Sequence, residues 1–325
     1  MPRLEASTPH LWKGRPGGQT NELVNSKVKI IDPSSDFANL HENSTAIIGF
    51  ACDTGISRNH GRRGAKLGPN ALRSQLKNLC FSQIMEEPIY DLGTVCCDDE
   101  NLESAQDALA SLVEKAHDKN LRPIVLGGGH ETAWGHFQGL IPKYKSKNIG
   151  IINFDAHLDL RPLKDNTYGT SGTPFRQMAT YCHENHIDFK YLCIGLQKHC
   201  NPLSLFQTAK KFGTSIITAD QFFSEDLAKI KNAVLEFCNQ CDNIYLSICL
   251  DVFQAGCAPG VSAPQSLGLQ PFHILPIYDQ LLSLNKIVSL DVVELSPPFD
   301  QDLRTANLAA HLTMKQINAN AHSHS

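Results

Sequence analysis

The sequence predicts an α/β protein built on a mainly parallel sheet. Short apolar runs end in polar or glycine residues: "TAIIGFACD" (45–53), "RPIVLGGGH" (122–130), "NIGIINFDAH" (148–157), "FKYLCIGLQ" (189–197), "NIYLSICLD" (243–251) and "KIVSLDVVEL" (286–295). These runs do not alternate strictly, which is the pattern of strands covered on both faces. Helical patterns lie between them, "ENLESAQDALASLVEKAHDKN" (100–120) and "SEDLAKIKNAVLEFCNQ" (224–240). In the first, Leu102, Ala105, Leu109, Leu112, Val113 and Ala116 follow the spacing of an amphipathic helix. Strand and helix alternating through modest connections define the class.

The chain has 325 residues, enough for one large domain or two small ones. A formal net charge of −4 leaves no basic footprint for nucleic acid. No apolar run approaches the ~20 residues of a membrane helix. The opening "MPRLEASTPHLWKGRPGGQT" lacks the apolar centre of a secretory signal, so the expected location is the cytoplasm. The 11 cysteines are an odd number scattered from Cys52 to Cys257, which reads as free thiols rather than a disulfide framework. "CNQC" (238–241) has no second pair and reads as thiols on a helix rather than a zinc site. Residues 1–44 read as an N-terminal arm packed on the same domain, 45–315 as the main domain and 316–325 as a flexible tail.

Ligands of such sheets bind beyond the carboxyl ends of the strands. His130, Asp155, Asp251 and Glu294 all fall there. In "FDAHLDLR", Asp155, His157 and Asp159 are spaced by two, so an extended segment would project all three to one side. Two acids flanking an imidazole suit a divalent metal, although a solvated polar turn has the same composition. "LGGGHE" sets His130 after three glycines, which permit a sharp turn and close backbone approach. It matches neither a Walker loop nor a dinucleotide fingerprint. Taken alone, His130 reads equally as a core histidine. Cys249 and Asp251, two apart in "SICLDVFQAGCAPG", are expected on one strand face, and Glu294 ends a strand ahead of a Ser-Pro-Pro loop.

Together these elements resemble the ureohydrolases: arginase, agmatinase and formimidoylglutamase. That family carries G-G-[GD]-H, D-A-H-x-D and S-x-D-x-D…A-P-G elements in this order; here they read "GGGH", "DAHLD" and "SICLDVFQAGCAPG". With "GRRGAKLGPNALR" (61–73), the resemblance spans roughly residues 45 to 312. "LWKGR" (11–15), "SRNHGRRGA" (57–65), "GGGHETAWGHFQG", "DLR" (159–161) and "SGTPF" (171–175) are similar to the formimidoylglutamase branch in particular. Arginases and agmatinases typically place a histidine where this chain has Ser171.

The resemblance implies a three-layer α/β/α sandwich with a mostly parallel eight-stranded sheet. It implies two manganese ions, His130 and Asp159 on one, His157 and Asp251 on the other, with Asp155 and position 249 bridging. Most relatives have aspartate where this chain has Cys249. A thiolate there would complete the charge that Asp155, Asp159 and Asp251 leave short of four, while shifting preference toward zinc or another later metal. A protonated, non-coordinating thiol is the alternative. The implied reaction is hydrolysis of N-formimidoyl-L-glutamate to glutamate and formamide. The resemblance implies Asp159 and Glu294 as its catalytic residues and Arg161, Arg58, Ser171 and Glu294 as substrate-binding, with Arg62 a further candidate. Hydrolysis of another guanidino or amidino acid and a non-catalytic relative remain as alternatives. The partner implied is a small molecule, and the family also allows a homo-oligomer.

Overall fold

Aliphatic and β-branched runs pair into a single sheet because only a sheet covered on both faces buries them along their whole length. The structure, a computed structural model, describes residues 2–14, 22–81, 85–146 and 148–322. Its strands are β1 (Arg3–Glu5), β2 (Val28–Ile30), β3 (Thr45–Ala51), β4 (Ile89–Cys96), β5 (Arg122–Leu126), β6 (Ile149–Phe154), β7 (Lys190–Leu196), β8 (Ser215–Thr218), β9 (Asn243–Cys249) and β10 (Ile287–Val293). Eight of them run parallel in the order β4-β3-β5-β10-β9-β6-β7-β8. Among the described residues the sheet nevertheless has ten strands, not the eight expected. The N-terminal segment adds β1 antiparallel and β2 parallel to β4, satisfying an edge that would otherwise stay unpaired.

Side chains along each strand alternate between two apolar layers. Ile124 and Leu126 join the cluster that includes Tyr278 and Ile317, while Val125 joins Leu109 and Leu112 on the opposite face. A third cluster extends the second face with Phe137, Phe175 and Tyr191. The expected helices appear at Leu102–Asp118 and Leu227–Cys238. Asn101 and Asp226 cap them by accepting from the backbone N–H groups of Ser104 and Ala228. Cys238 ends the second helix and Cys241 lies beyond it, both buried.

The expected tail boundary at 315 falls inside the last helix, Arg304–His322, where Gln316, Ile317 and Asn320 are buried. Arg15, which belongs to the "LWKGR" stretch, lies outside the described residues. No helix among the described residues is long and apolar enough to cross a membrane.

One buried polar group in this layer predicts a pH response. His117 is 1 % exposed, and burial lowers its pKa to about 3. The unfolded chain, with an ordinary imidazole, binds the extra proton below about pH 6.5, so stability falls as pH drops below that value. Each pH unit costs about 1.4 kcal/mol from this group until its folded pKa is reached. Urea unfolding of His117→Phe at pH 5 and pH 7 is expected to show a smaller stability difference than the parent chain. An unchanged difference would assign the acid sensitivity elsewhere.

Candidate active site

The topology places four strand ends side by side. His130 follows β5, Glu294 follows β10, Cys249 ends β9 and Asp155 follows β6, and β5-β10-β9-β6 are consecutive in the sheet. The glycine loop after β5 runs against the β3 end, Gly129 N–H donating to Cys52 O at 2.9 Å. A Cβ on Gly128 would stand 1.8 Å from that same carbonyl, so only glycine fits there.

His157 and Asp159 reach the site by a different route from the one expected. The segment after Asp155 is bent, not extended. The Asp155 carboxylate accepts the His157 N–H two residues on at 2.7 Å, a local turn that competes with strand geometry. Asp159 adopts φ 48°, which swings it back toward His130. Asp251 likewise does not share a strand face with Cys249. A 3₁₀ turn, Leu250–Val252, follows the strand and brings the carboxylate to the same side. Glu294 has φ 72°. Left-handed backbone at a glutamate is uncommon, and such strain gathers at functional sites.

The side chains form two groups that share one carboxylate: His130, Asp155 and Cys249, and Asp155, His157 and Asp251. Asp155 is the common member, whereas Cys249 stands with His130. The His130 Nδ1 lies 2.9 Å from Asp159 Oδ2 and 3.0 Å from Asp155 Oδ2. The His157 Nδ1 lies 3.1 Å from Asp251 Oδ2.

A hydrogen-bond chain fixes what His130 offers. Asp291 Oδ1 accepts from the Ser247 hydroxyl at 2.6 Å, which uses that hydroxyl's only proton. Ser247 Oγ, 3.0 Å from His130 Nε2, must therefore accept from the ring. When the ring is neutral, Nδ1 presents its lone pair to two carboxylates, a set of acceptors that only a proton or a cation at that nitrogen can hold together. His136, at 2.8 Å, and the Tyr245 hydroxyl hold the other Asp291 oxygen. Sequence reasoning missed this chain because its members come from a loop, a helix and two strands; the buried polar pattern of β9 and β10 is its trace in the sequence.

The electrostatics agree with a cation-binding cluster. Burial opposes charge on His130, but the Asp155 and Asp159 carboxylates beside Nδ1 outweigh it and, with no cation between them, hold the imidazole pKa well above its ordinary value. Burial and the Asp155 charge push Asp159 and Asp251 up. Burial, then Asp155, Asp251 and Glu294, hold the Cys249 thiol well above the usual range. Asp251 Oδ1 and Glu294 Oε2 are buried with no hydrogen-bond partner. Those orphan acceptors, with three carboxylates, two imidazoles and a thiol, are a donor set that fits a pair of divalent cations.

Above the cluster lies a cavity of about 270 Å³. Glu294 and Asp159 line its floor, and Arg161, Arg62, Asn59 and Ser171 its walls. Among the described residues, the exposed Arg161 guanidinium has no acidic partner. The Arg62 guanidinium donates to the carbonyls of Ser262 and Val261 and lies over the Phe299 ring at 4.0 Å, with no acidic partner among the described residues. Asn59 donates to Ser171 at 3.2 Å. Arg58 does not reach the cavity, contrary to expectation: a two-pronged pairing with Glu103, at 2.5 and 3.0 Å, holds it aside. Asn59, Asn201 and Ser262 line the cavity without having been singled out from the sequence, because neutral polar residues in loops carry no periodic signal.

The sequence profile of the Arginase family matches residues 43–318. The chain belongs to the arginase family. A formimidoylglutamase of Legionella pneumophila is 44 % identical over 97 % of this arginase-family chain and 97 % of its own. A formimidoylglutamase of Clostridium tetani is 42 % identical over 92 % of this chain and 91 % of its own. The crystal structure of Trypanosoma cruzi formiminoglutamase with Mn²⁺ superposes with a TM-score of 0.80, covering 93 % of this chain and 99 % of that one. At 23 % identity that likeness speaks to the arginase-family fold.

Proposed function

We propose that this chain is a formimidoylglutamase, hydrolysing N-formimidoyl-L-glutamate to L-glutamate and formamide. One observation carries the reading beyond the near full-length likeness to such enzymes. A single cavity has an acidic and imidazole floor suited to cations and amidines, and an unpaired arginine on its wall suited to a carboxylate. The substrate has that polarity, an amidine head on a dicarboxylate body. The cytoplasm suits a chain whose cysteines are all free thiols.

His130, Asp155, Asp159 and Cys249 would hold one cation, and Asp155, His157 and Asp251 the other. When bound, such cations supply Lewis acidity and can lower the pKa of a water from ~15.7 to about 7. Glu294 Oε2, the orphan oxygen on the floor, accepts from the N–H groups of the amidinium head and aims its carbon. Its other oxygen is fixed by the His130 N–H at 3.0 Å, so the carboxylate is already oriented. Asp159, lining the cavity, takes the proton from the attacking water and delivers it to the departing amine nitrogen. The new carbon–oxygen bond replaces the carbon–nitrogen bond to glutamate. Arg161 pairs with a substrate carboxylate through its fork.

The deciding experiment is turnover after reconstitution with manganese, zinc or cobalt. Glutamate release from formimidoylglutamate, well above that from arginine or agmatine, is expected; no release with any metal would refute the assignment. Arg161→Ala is expected to raise KM roughly 10- to 100-fold, the range for losing a charge-assisted pair, with cation content unchanged. An unaltered KM would take Arg161 out of the site.

The identity of the cations follows from position 249. Sulfur favours later, softer metals over manganese. Cys249→Asp is therefore expected to move preference toward manganese by about tenfold or more. Metal analysis after dialysis against equal manganese and zinc reads this out. Equal ratios in both proteins would mean that Cys249 takes no part in coordination.

A further inference from the structure

Away from the proposed cation cluster, two more cysteines meet at the ends of β3 and β4. Ala51 and Cys96 are register partners in that parallel pair, and the Cys97 N–H donates to Ala51 O at 3.2 Å. Cys52 and Cys97 are therefore the next position along on neighbouring strands. That spacing, about 5 Å between backbones, falls inside the Cα separation of disulfides. Their side chains face the same side of the sheet, since both belong to the same buried apolar cluster. Thr54 Oγ1 sits 3.6 Å from Cys97 Sγ.

We propose that Cys52 and Cys97 form a peroxide-responsive dithiol site that closes to a disulfide. The Cys97 sulfur attacks one peroxide oxygen; a sulfur–oxygen bond forms, the oxygen–oxygen bond breaks, and the departing hydroxide leaves as water after taking the thiol proton. The Cys52 sulfur then attacks the Cys97 sulfenic acid. The sulfur–sulfur bond forms, the sulfur–oxygen bond breaks, and the second hydroxide leaves as water with the Cys52 proton. Two thiols are oxidised by two electrons in total and one peroxide is reduced to two waters.

Three features assign the order of these steps. Cys97 is 8 % exposed against 1 % for Cys52, so peroxide meets it first. The hydrogen bond from Cys52, aided by Thr54 and against the effect of burial, brings the Cys97 pKa down to about 7, which supplies thiolate near neutral pH. Cys52, more deeply buried and with its pKa raised by its bond to Cys97 and by burial, keeps its proton until it resolves the sulfenic acid. Cys96 cannot take that role, because it points to the other face of the strand and donates to Glu5.

The test uses the full-length, cation-loaded protein. After a brief exposure to hydrogen peroxide, remaining thiols are alkylated and the chain is digested without reductant. A peptide pair joined through Cys52 and Cys97 is expected, lighter by two hydrogens than the free-thiol peptides and separated by dithiothreitol. In Cys52→Ser, or in Cys52→Ala should the serine variant not fold, Cys97 is expected to stop at the sulfenic acid and be trapped by dimedone. Full alkylation of both residues in the oxidised parent chain would overturn the proposal, and so would Cys97 joined to any other cysteine.

Discussion

Asp155→Ala is expected to lose both cations together and to lower turnover by on the order of 10³-fold or more, since the barrier change for losing the centre is several kcal/mol. The reason lies in its double membership. One oxygen faces His130 at 3.0 Å, and the other lies 3.4 Å from His157 and accepts that residue's N–H. Removing it takes away the shared ligand and the turn that presents His157. Metal analysis and steady-state rates measured on one preparation check this. A variant retaining one tightly held cation would show that the two groups are independent. Asp155→Asn, which keeps the shape and one acceptor, is expected to fold normally and still lose affinity.

Glu294→Gln is the complementary change. The amide keeps an oxygen to accept the His130 N–H, so the loop and the bound cations should be undisturbed. It loses the negative charge proposed to meet the amidinium. A drop in kcat/KM of about 10² to 10³ is expected with metal content unchanged, the size of effect that orientation and charge at a reacting head supply. Simultaneous loss of metal would place Glu294 in the coordination shell instead. An intact rate would remove it from catalysis.

Much of the fold was legible because its signal is local. Six strands, β3, β5, β6, β7, β9 and β10, announce themselves as mainly apolar runs ending in polar or glycine residues. β4 was not singled out: "IYDLGTVC" sets Asp91, Gly93 and Thr94 among its apolar residues and leaves no apolar stretch longer than two. Those polar residues are buried because Arg73, itself fully buried, pairs with Asp91 at 2.8 Å and with Thr94 at 2.9 Å. No reading of residues 89–96 alone could supply that partner. The site divides in the same way. His130, Asp155, Cys249, Asp251 and Glu294 were visible as polar residues at the ends of apolar strands. The displacement of Arg58 was not visible, because Glu103 lies 45 positions away in sequence. The bend after Asp155 was missed for a different reason: spacing by two fits an extended strand, and only the Asp155 side chain, turned onto its own backbone, breaks the pattern.

Trp12 has a practical bearing on how this protein is handled. Its indole N–H reaches across 79 positions to donate to Asp91 Oδ2 at 2.6 Å, beside the Arg73 guanidinium. The first dozen residues thus act as a plug over the interior acid of β4. A vector that trims them, or a protease that nicks behind them, would let solvent into a charged pocket of the sheet while leaving every residue of the catalytic floor in the polypeptide.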